Sequence, residues 1–222
     1  MGLHLVDIYR SPNIGIFLKT NDKLLLAPRG LAPSKGEKLK EALGVSVCYT
    51  SIAGSRLLGP LAAMNNNGIL VSRLTEDVEM REIAAATTGM AIGRFNSKYT
   101  AVGNLVAAND RFALVSALLD SGTLHQVRDV LGTDVERMTI HDYSQVGALV
   151  VATNSGAATY PRLDEGEVSH IASLLGVEAY PTSVNGGVPY VSSGLVANSK
   201  NAIAGNQTTG PELVFITRAL KV

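Results

Sequence analysis

The stretch LGPLAAMNNNGILVS, residues 58–72, contains in order an apolar residue, a glycine, a short apolar run, a polar turn and a second apolar run. Its glycine, Gly59, and the corresponding glycines of the other segments lie 44, 44, 44 and 47 residues apart. A repeat of about 44 residues therefore fills the chain of 222 residues, and the whole fold follows from it. The other segments are IGIFLKTNDKLLLAP (14–28), VGNLVAANDRFALVS (102–116), VGALVVATNSGAATYP (146–161) and SGLVANSKNAIAG (193–205), with Gly15, Gly103, Gly147 and Gly194 as their glycines.

Each segment is typical of a β-hairpin. Asn21, Asn65 and Asn109 each stand six residues after the glycine, and Asn154 stands seven after Gly147. Asparagine suits a tight turn, because it tolerates positive φ and its side chain can bond to the turn backbone. The sequence therefore predicts that every unit opens with a hairpin.

A helical pattern follows each hairpin, and an extended run precedes it. In the fourth helix, Asp164 and Glu167 form a capping-box pattern, and Gly176 is the expected C-cap. The helix of the last unit has no extended run after it, whereas the first run stands at the N-terminus, so we expect the last unit to meet the first. The predicted fold is a closed five-fold α/β propeller. The helices are predicted over Ser34–Leu43, Thr75–Ala86, Ser121–Leu131, Asp164–Leu175 and from Pro211, and the extended runs begin at Leu3, Val45, Met90, Asp134 and Val177.

Composition excludes several classes of protein. The 19 Lys and Arg residues balance 19 Asp and Glu residues, which argues against a protein that works by neutralising nucleic-acid phosphates. A hydrophobic content of 46% argues against disorder. The uncharged run 179–199 contains prolines, glycines and an asparagine, so turns and short strands are expected there, with no membrane helix. With no secretory signal pattern, we expect a cytoplasmic protein.

Several motifs, in a fixed order and tied to the repeat, identify a known family. SIAGSRLLG (51–59), NNNGILV (65–71) and AVGNLVAANDRFALV (101–115) resemble the translation initiation factor 6 family of archaea and eukaryotes. The similarity extends over nearly the whole chain, and its length resembles that of the archaeal members.

This resemblance implies a pentein fold, with residues 1–222 forming a single domain of five units. It further implies a protein without catalysis or cofactor that binds the large ribosomal subunit and sterically prevents its association with the small subunit, with a further part in large-subunit biogenesis. The expected contact is mainly ribosomal protein near the sarcin-ricin loop, with minor contact to rRNA. We expect a monomer, since a closed ring has no free sheet edge.

The resemblance also indicates candidate ribosome-binding residues, with Asn104 the foremost. The glycines among them have a simpler interpretation, because a small residue is needed wherever two backbones approach closely. Pro60 departs from the basic residue that eukaryotic members carry there. Tyr190 is either a binding anchor or a half-buried core ring, and Arg56 either points to the rim or pairs with a carboxylate. The rim candidates at matching positions of the units are Gly59-Pro60, Gly103-Asn104 and Gly147-Ala148.

Two alternatives remain. Some penteins are enzymes that act on guanidino groups through a cysteine near the C-terminus, or the central channel could bind a small molecule; a channel lined by acids and histidines would favour this reading. Cys48, the single cysteine, lies early in an apolar run and is expected to be a buried, inert thiol. The four histidines lack metal-site spacing, so no metal is expected. The second alternative is a protein-binding module with another partner.

Overall fold

The computed structural model describes residues 2–222 as a mixed α/β fold with five small three-stranded sheets. Each unit contains a short helical segment, a hairpin, a long helix and a third strand. The strands are β1 (Gly2–Val6), β2 (Lys19–Thr20), β3 (Leu24–Pro28), β4 (Ser46–Thr50), β5 (Ala62–Met64), β6 (Gly68–Ser72), β7 (Ala91–Phe95), β8 (Val106–Ala108), β9 (Phe112–Ser116), β10 (Asp134–Met138), β11 (Val150–Ala152), β12 (Ala157–Thr159), β13 (Ala179–Pro181), β14 (Leu195–Ala197) and β15 (Asn201–Gly205). The helices are α1 (Pro33–Leu43), α2 (Leu58–Leu61), α3 (Asp77–Ala86), α4 (Val102–Leu105), α5 (Ser121–Leu131), α6 (Val146–Leu149), α7 (Glu165–Leu175), α8 (Val191–Gly194) and α9 (Gly210–Leu220), with a 3-10 helix at Ile14–Ile16.

All five sheets share one topology. In the second unit, β5 and β6 form an antiparallel hairpin, and β6 then pairs in parallel with β7 after the chain has passed through α3. The middle strand is fully buried, as a strand covered on both faces must be, which explains its continuous apolar sequence. The other units repeat this βαβ arrangement.

The fifth sheet takes its third strand from the other end of the chain. Strand β1 pairs in parallel with β15, from Gly2 opposite Asn201 to Val6 opposite Gly205. This confirms the expectation that the N-terminal run completes the last unit.

The long helices begin and end close to the predicted residues. Asp164 and Glu167 form the expected capping box of α7, and Gly176 ends that helix in the left-handed conformation at φ 67°. Gly44 and Gly132 end α1 and α5 in the same way. Helix α3 begins two residues after the predicted start, because Glu76 forms its capping box with Glu79.

The core consists of five clusters of buried apolar residues, and each cluster joins two successive units. For example, Leu24 and Leu26 of the first unit pack with Ile52, Ile69 and Ile83 of the second. The series is cyclic, since the cluster around Leu39 in the first unit includes Val196 and Ile203 of the fifth. Each unit therefore buries its apolar face only when its neighbour is present, as in other repeat proteins.

The glycines that begin the repeats do not open the hairpins. Four of them lie in the short helical segment just before the hairpin, where the backbones of adjacent units almost touch: Gly15, Gly59, Gly103 and Gly147. A Cβ on Gly59 would lie 1.8 Å from the Gly15 carbonyl oxygen, and one on Gly103 would lie 1.9 Å from that of Gly59. The close-approach interpretation of these glycines is therefore correct.

In the fifth unit the equivalent residue is Ser192, two residues before Gly194. A Cβ on Gly15 of the first unit would lie 1.9 Å from the Ser192 carbonyl oxygen of the fifth unit. Gly59 of the second unit stands in the same relation to Gly15 of the first. The true spacing of the fifth unit is thus 45 residues after Gly147. Gly194 instead ends α8 and packs against Val184 and Asn185.

Candidate binding face and central cavity

The tips of the five hairpins bond to one another in a cycle. We call this the tip ring; its backbone N–H groups each donate to the side chain of the next unit. The bonds run from Asp22 to Asn66 (2.9 Å), Asn66 to Asp110 (2.8 Å), Asp110 to Asn154 (2.9 Å), Asn154 to Ser199 (3.3 Å) and Ser199 to Asp22 (2.7 Å).

The tip ring contains two carboxylates, those of Asp22 and Asp110, and no basic residue among its own members. The Asn66 side-chain amide donates to both Asp22 and Asp110, at 2.7 Å each. Burial by itself would raise the pKa of Asp22, but hydrogen bonds from Ser199, Asn66 and Asn154 outweigh it and lower that pKa below its usual value. Both carboxylates thus accept hydrogen bonds from other hairpin tips and hold the five tips together at one end of the molecule.

The asparagine preceding each tip stabilises the turn through its side chain, and positive φ is not needed. Asn65 Oδ1 accepts from the N–H groups of Asn67 and Gly68, while its Nδ2 donates to the Asn109 carbonyl of the next unit. In the fourth unit the equivalent residue is Thr153, whose hydroxyl accepts from Gly156 N–H. Asn154, the residue aligned there from the sequence, belongs to the tip ring instead.

A cavity of about 710 Å³ lies between the units, and residues of all five line it. Its wall is formed by the inner hairpin strands β2, β5, β8, β11 and β14. The residues just before the tip ring, such as Ala108 and Ala152, line its inner end. The short helical segments and the exposed side chains of Tyr143 and Tyr190 line the other end, which we call the mouth.

The predicted rim residues lie in the short helical segments at the mouth. Gly59, Gly103 and Gly147 occupy the second position of α2, α4 and α6 and are buried, whereas the third position is half-buried. The second positions therefore serve packing between units, and the third positions provide the accessible side chains. The third-position residues are Pro60, Asn104 and Ala148, and all three line the cavity mouth.

Aromatic side chains extend the mouth outward. Tyr190 precedes α8 and is 42% exposed, so it is not a core ring; it meets Tyr143 edge-on at 6.4 Å. The Arg56 guanidinium lies 5.7 Å from the centre of the Tyr9 ring, a cation–π contact. Of the two alternatives for Arg56, the rim or a carboxylate partner, the structure favours the first, because the side chain is exposed and contacts the Tyr9 ring.

Two buried glutamates hold the loops beside the mouth. Glu79 accepts hydrogen bonds from Ala53 and Gly54 N–H, and Glu212 accepts from Gly186 and Gly187 N–H, at 2.8 to 3.0 Å. Burial would raise the pKa of Glu212, but donors from Thr209, Ser183 and these glycines lower it to about 2. Ala53 has a φ of 55°, so the carboxylate fixes a backbone that L-residues rarely adopt.

Catalytic groups do not meet in the cavity. Cys48 is buried, as predicted, and burial raises the pKa of its thiol to about 11, so the nucleophilic thiolate is disfavoured. The cavity wall, over residues 2–222, carries one charged side chain, Lys19, where the enzyme alternative expects acids and histidines. Within that range, no cluster of three metal-binding side chains is found, and no helix combines the length and apolar character needed to cross a bilayer.

Lys19, the tip ring and the two loop-holding glutamates were not identified from the sequence. Lys19 could have been found from the sequence, because an alignment of the repeats by strand pairing shows it as the exception at its position. At the positions that correspond to Lys19 in the strand pairing, the other units carry Ala63, Ala107, Val151 and Val196.

Comparison with known proteins agrees with this architecture. The eIF-6 family model matches residues 3–219. A protein of Nitrosopumilus maritimus (strain SCM1) named translation initiation factor 6 is 48% identical over 213 residues, which cover 96% of each chain. Proteins of the same name from Cenarchaeum symbiosum (strain A) and Pyrococcus abyssi (strain GE5 / Orsay) are 45% and 38% identical, with 99% of each chain covered. With a full-length family match and relatives this similar, the chain belongs to the eIF-6 family.

Proposed function

We propose that this protein binds the large ribosomal subunit through the surface around the cavity mouth, which we call the mouth face, and sterically prevents its association with the small subunit. A role in translation initiation follows from its family, whose archaeal members of similar length carry the name translation initiation factor 6. The observation that carries the proposal is this similarity, which extends over 96% to 99% of the chain. Action in large-subunit biogenesis is part of the same proposal.

The mouth face suits protein docking better than the opposite end does. At the opposite end, the side chains of the tip ring bond to one another. At the mouth, Asn104 is half-buried, and the hydrogen bond it makes there runs from its backbone N–H to Ala101. Tyr143 and Tyr190 add exposed aromatic surface of the kind enriched in binding hot spots.

Charge and rigidity support the same proposal. With 19 positive and 19 negative side chains, the protein has no cationic excess with which to bind an extended RNA backbone, so we propose ribosomal protein as the main contact and rRNA as a minor one. We also propose that the five units form one closed pentein propeller, monomeric and cytoplasmic. Such a body loses little conformational entropy on binding, because adjacent units already fix each other.

The test is sedimentation of the purified protein with separated archaeal ribosomal subunits through a sucrose gradient at near-physiological salt. We expect the protein to travel with the large subunit and to reduce the fraction of joined ribosomes. Asn104→Arg places a long cation on the mouth face and is expected to weaken binding by about tenfold or more, since a buried interface tolerates an unpaired charge poorly. Its melting temperature should stay unchanged, because the Asn104 side chain is half-buried and forms no hydrogen bond with another side chain or backbone group among residues 2–222.

Asn67→Arg is the matched control. Asn67 is exposed beside the tip ring, and the corresponding residue of the third unit is already an arginine, Arg111. This variant should bind like the unaltered protein. Protein that stays at the top of the gradient while the subunits join freely would overturn the proposed function, and equal loss in both variants would overturn the assignment of the face.

A further inference from the structure

Lys19 interrupts an otherwise apolar position of the repeat. The corresponding residues in the other four units are alanine or valine, so the fold does not require a long cationic side chain there. The Lys19 side chain is half-buried at the wall of the cavity. Withdrawing an unpaired ammonium from water is destabilising, and residues that violate the pattern of their fold at such a cost are found mostly at functional sites. Lys19 is therefore a candidate for a role outside folding.

The surroundings of Lys19 provide no counter-ion. Strands β3, β5 and β14 contact β2, and none of the three has an ionisable residue. The nearby carboxylates of Asp22 and Asp110 are hydrogen-bonded within the tip ring. Burial, unopposed by any neighbouring charge, lowers the pKa of Lys19 to about 8.

The cavity beside Lys19 has the size and lining of a small-molecule site. Its volume of about 710 Å³ falls within the range of roughly 300–1,000 Å³ that is usual for such sites. Over the described chain, the wall combines one positive charge with partly accessible aliphatic side chains, among them Ile16, Val151 and Val188, and with amides and hydroxyls at the mouth. A ligand that satisfies both features has one negative charge and an apolar body.

We propose that the central cavity binds a small organic carboxylate, with its negative charge paired to the Lys19 ammonium and its aliphatic body packed against the inner strands. The bound anion provides the counter-ion that is not found beside Lys19 among residues 2–222. The apolar body displaces water from the wall, which adds hydrophobic stabilisation to the ion pair.

Octanoate is a suitable probe, measured by isothermal titration calorimetry at about pH 7. We expect binding of one molecule per chain, accompanied by a rise in melting temperature. Octan-1-ol has a similar body without the charge and acetate the charge without the body, and both should bind at least about tenfold more weakly. Octanoate affinity should also fall as the pH is raised to about 10, because Lys19 loses its proton.

Three variants test the residue. Lys19→Met keeps the length of the side chain and removes the charge, and should weaken octanoate binding by about tenfold or more, whereas Lys19→Arg should retain it. Lys200→Met removes an exposed lysine at a hairpin tip and should bind like the unaltered protein. The proposal is overturned if the unaltered protein does not bind octanoate at millimolar concentration, if octan-1-ol binds equally well, or if a folded Lys19→Met variant keeps the full affinity.

Discussion

At the scale of single residues, Glu212 links helix α9 to the loop beside the mouth. It is 7% exposed and accepts hydrogen bonds from three backbone N–H groups, those of Gly186, Gly187 and Thr209. Since its pKa falls from 4.5 to about 2 on folding, it contributes stability that is present above about pH 4.5 and is lost as the pH falls toward 2.

Glu212→Gln is therefore expected to lower the free energy of unfolding by about 2–3 kcal/mol at pH 7 and by much less near pH 2.5. Urea unfolding at both pH values measures the difference. Glu165→Gln, in the exposed first turn of α7, serves as the control and should change stability by less than about 0.5 kcal/mol. An equal loss at both pH values would show that the carboxylate charge does not matter.

Lys19 makes stability change in the same direction with pH but in an alkaline range, because its charged form destabilises the fold whereas that of Glu212 stabilises it. Its pKa falls from 10.5 in the unfolded chain to about 8 in the fold, so the unfolded state holds more protons between these values and stability rises with pH there. We expect Lys19→Met to remove this rise and to stabilise the protein by up to about 3 kcal/mol below pH 8. Thermal unfolding from about pH 7 to 10 tests this, with Lys200→Met as the control; parallel curves for Lys19→Met and the unaltered protein would contradict it.

At the scale of elements, sequence reasoning predicted the long helices and third strands well, because their caps and apolar periods are local signals. The fifth unit was aligned two residues late, since the close-approach position is Ser192 there and a glycine happens to follow at Gly194. The rim positions were assigned to equivalent places in the units, but the sequence did not show that the glycines are buried and the residues after them accessible. That division depends on the neighbouring unit, about 44 residues away in sequence.

Gly103→Ala tests the contact between units. The added Cβ would lie 1.9 Å from the Gly59 carbonyl oxygen and 2.5 Å from that of Ala62, and neither backbone can move without disturbing two units. We expect a loss of at least about 3 kcal/mol, or failure to fold. Gly122→Ala is the matched control, because Gly122 is exposed in the first turn of α5 and an added Cβ would make an ordinary contact of 3.5 Å with Asp120 Oδ1. This variant should be neutral or stabilising by up to about 1 kcal/mol. Equal stability of both variants would refute the close-approach role.

At the scale of the whole molecule, the cyclic order of contacts follows from one long-range pairing. That pairing joins β1 to β15. The sequence indicated it because only four of the five predicted long helices are followed by an extended run, while a fifth such run stands at the N-terminus. The tip ring and the cavity were not predictable in this way, since they form only when all five hairpins meet. Contacts among all five hairpins thus create both the tip ring and the cavity, although neither is encoded within any one unit.

Removal of residues 1–6 tests the pairing of β1 with β15 and the proposed closure of the molecule. The truncated chain leaves β15 with an unpaired edge, so we expect a lower melting temperature and association through that edge, whereas the full chain should sediment as a monomer of 23.3 kDa. A synthetic peptide with the sequence of residues 2–9 should restore the monomer and part of the stability by pairing with β15, and a scrambled peptide should not. Analytical ultracentrifugation measures both effects. A truncated chain that remains monomeric at the original melting temperature would mean that β1 does not close the molecule.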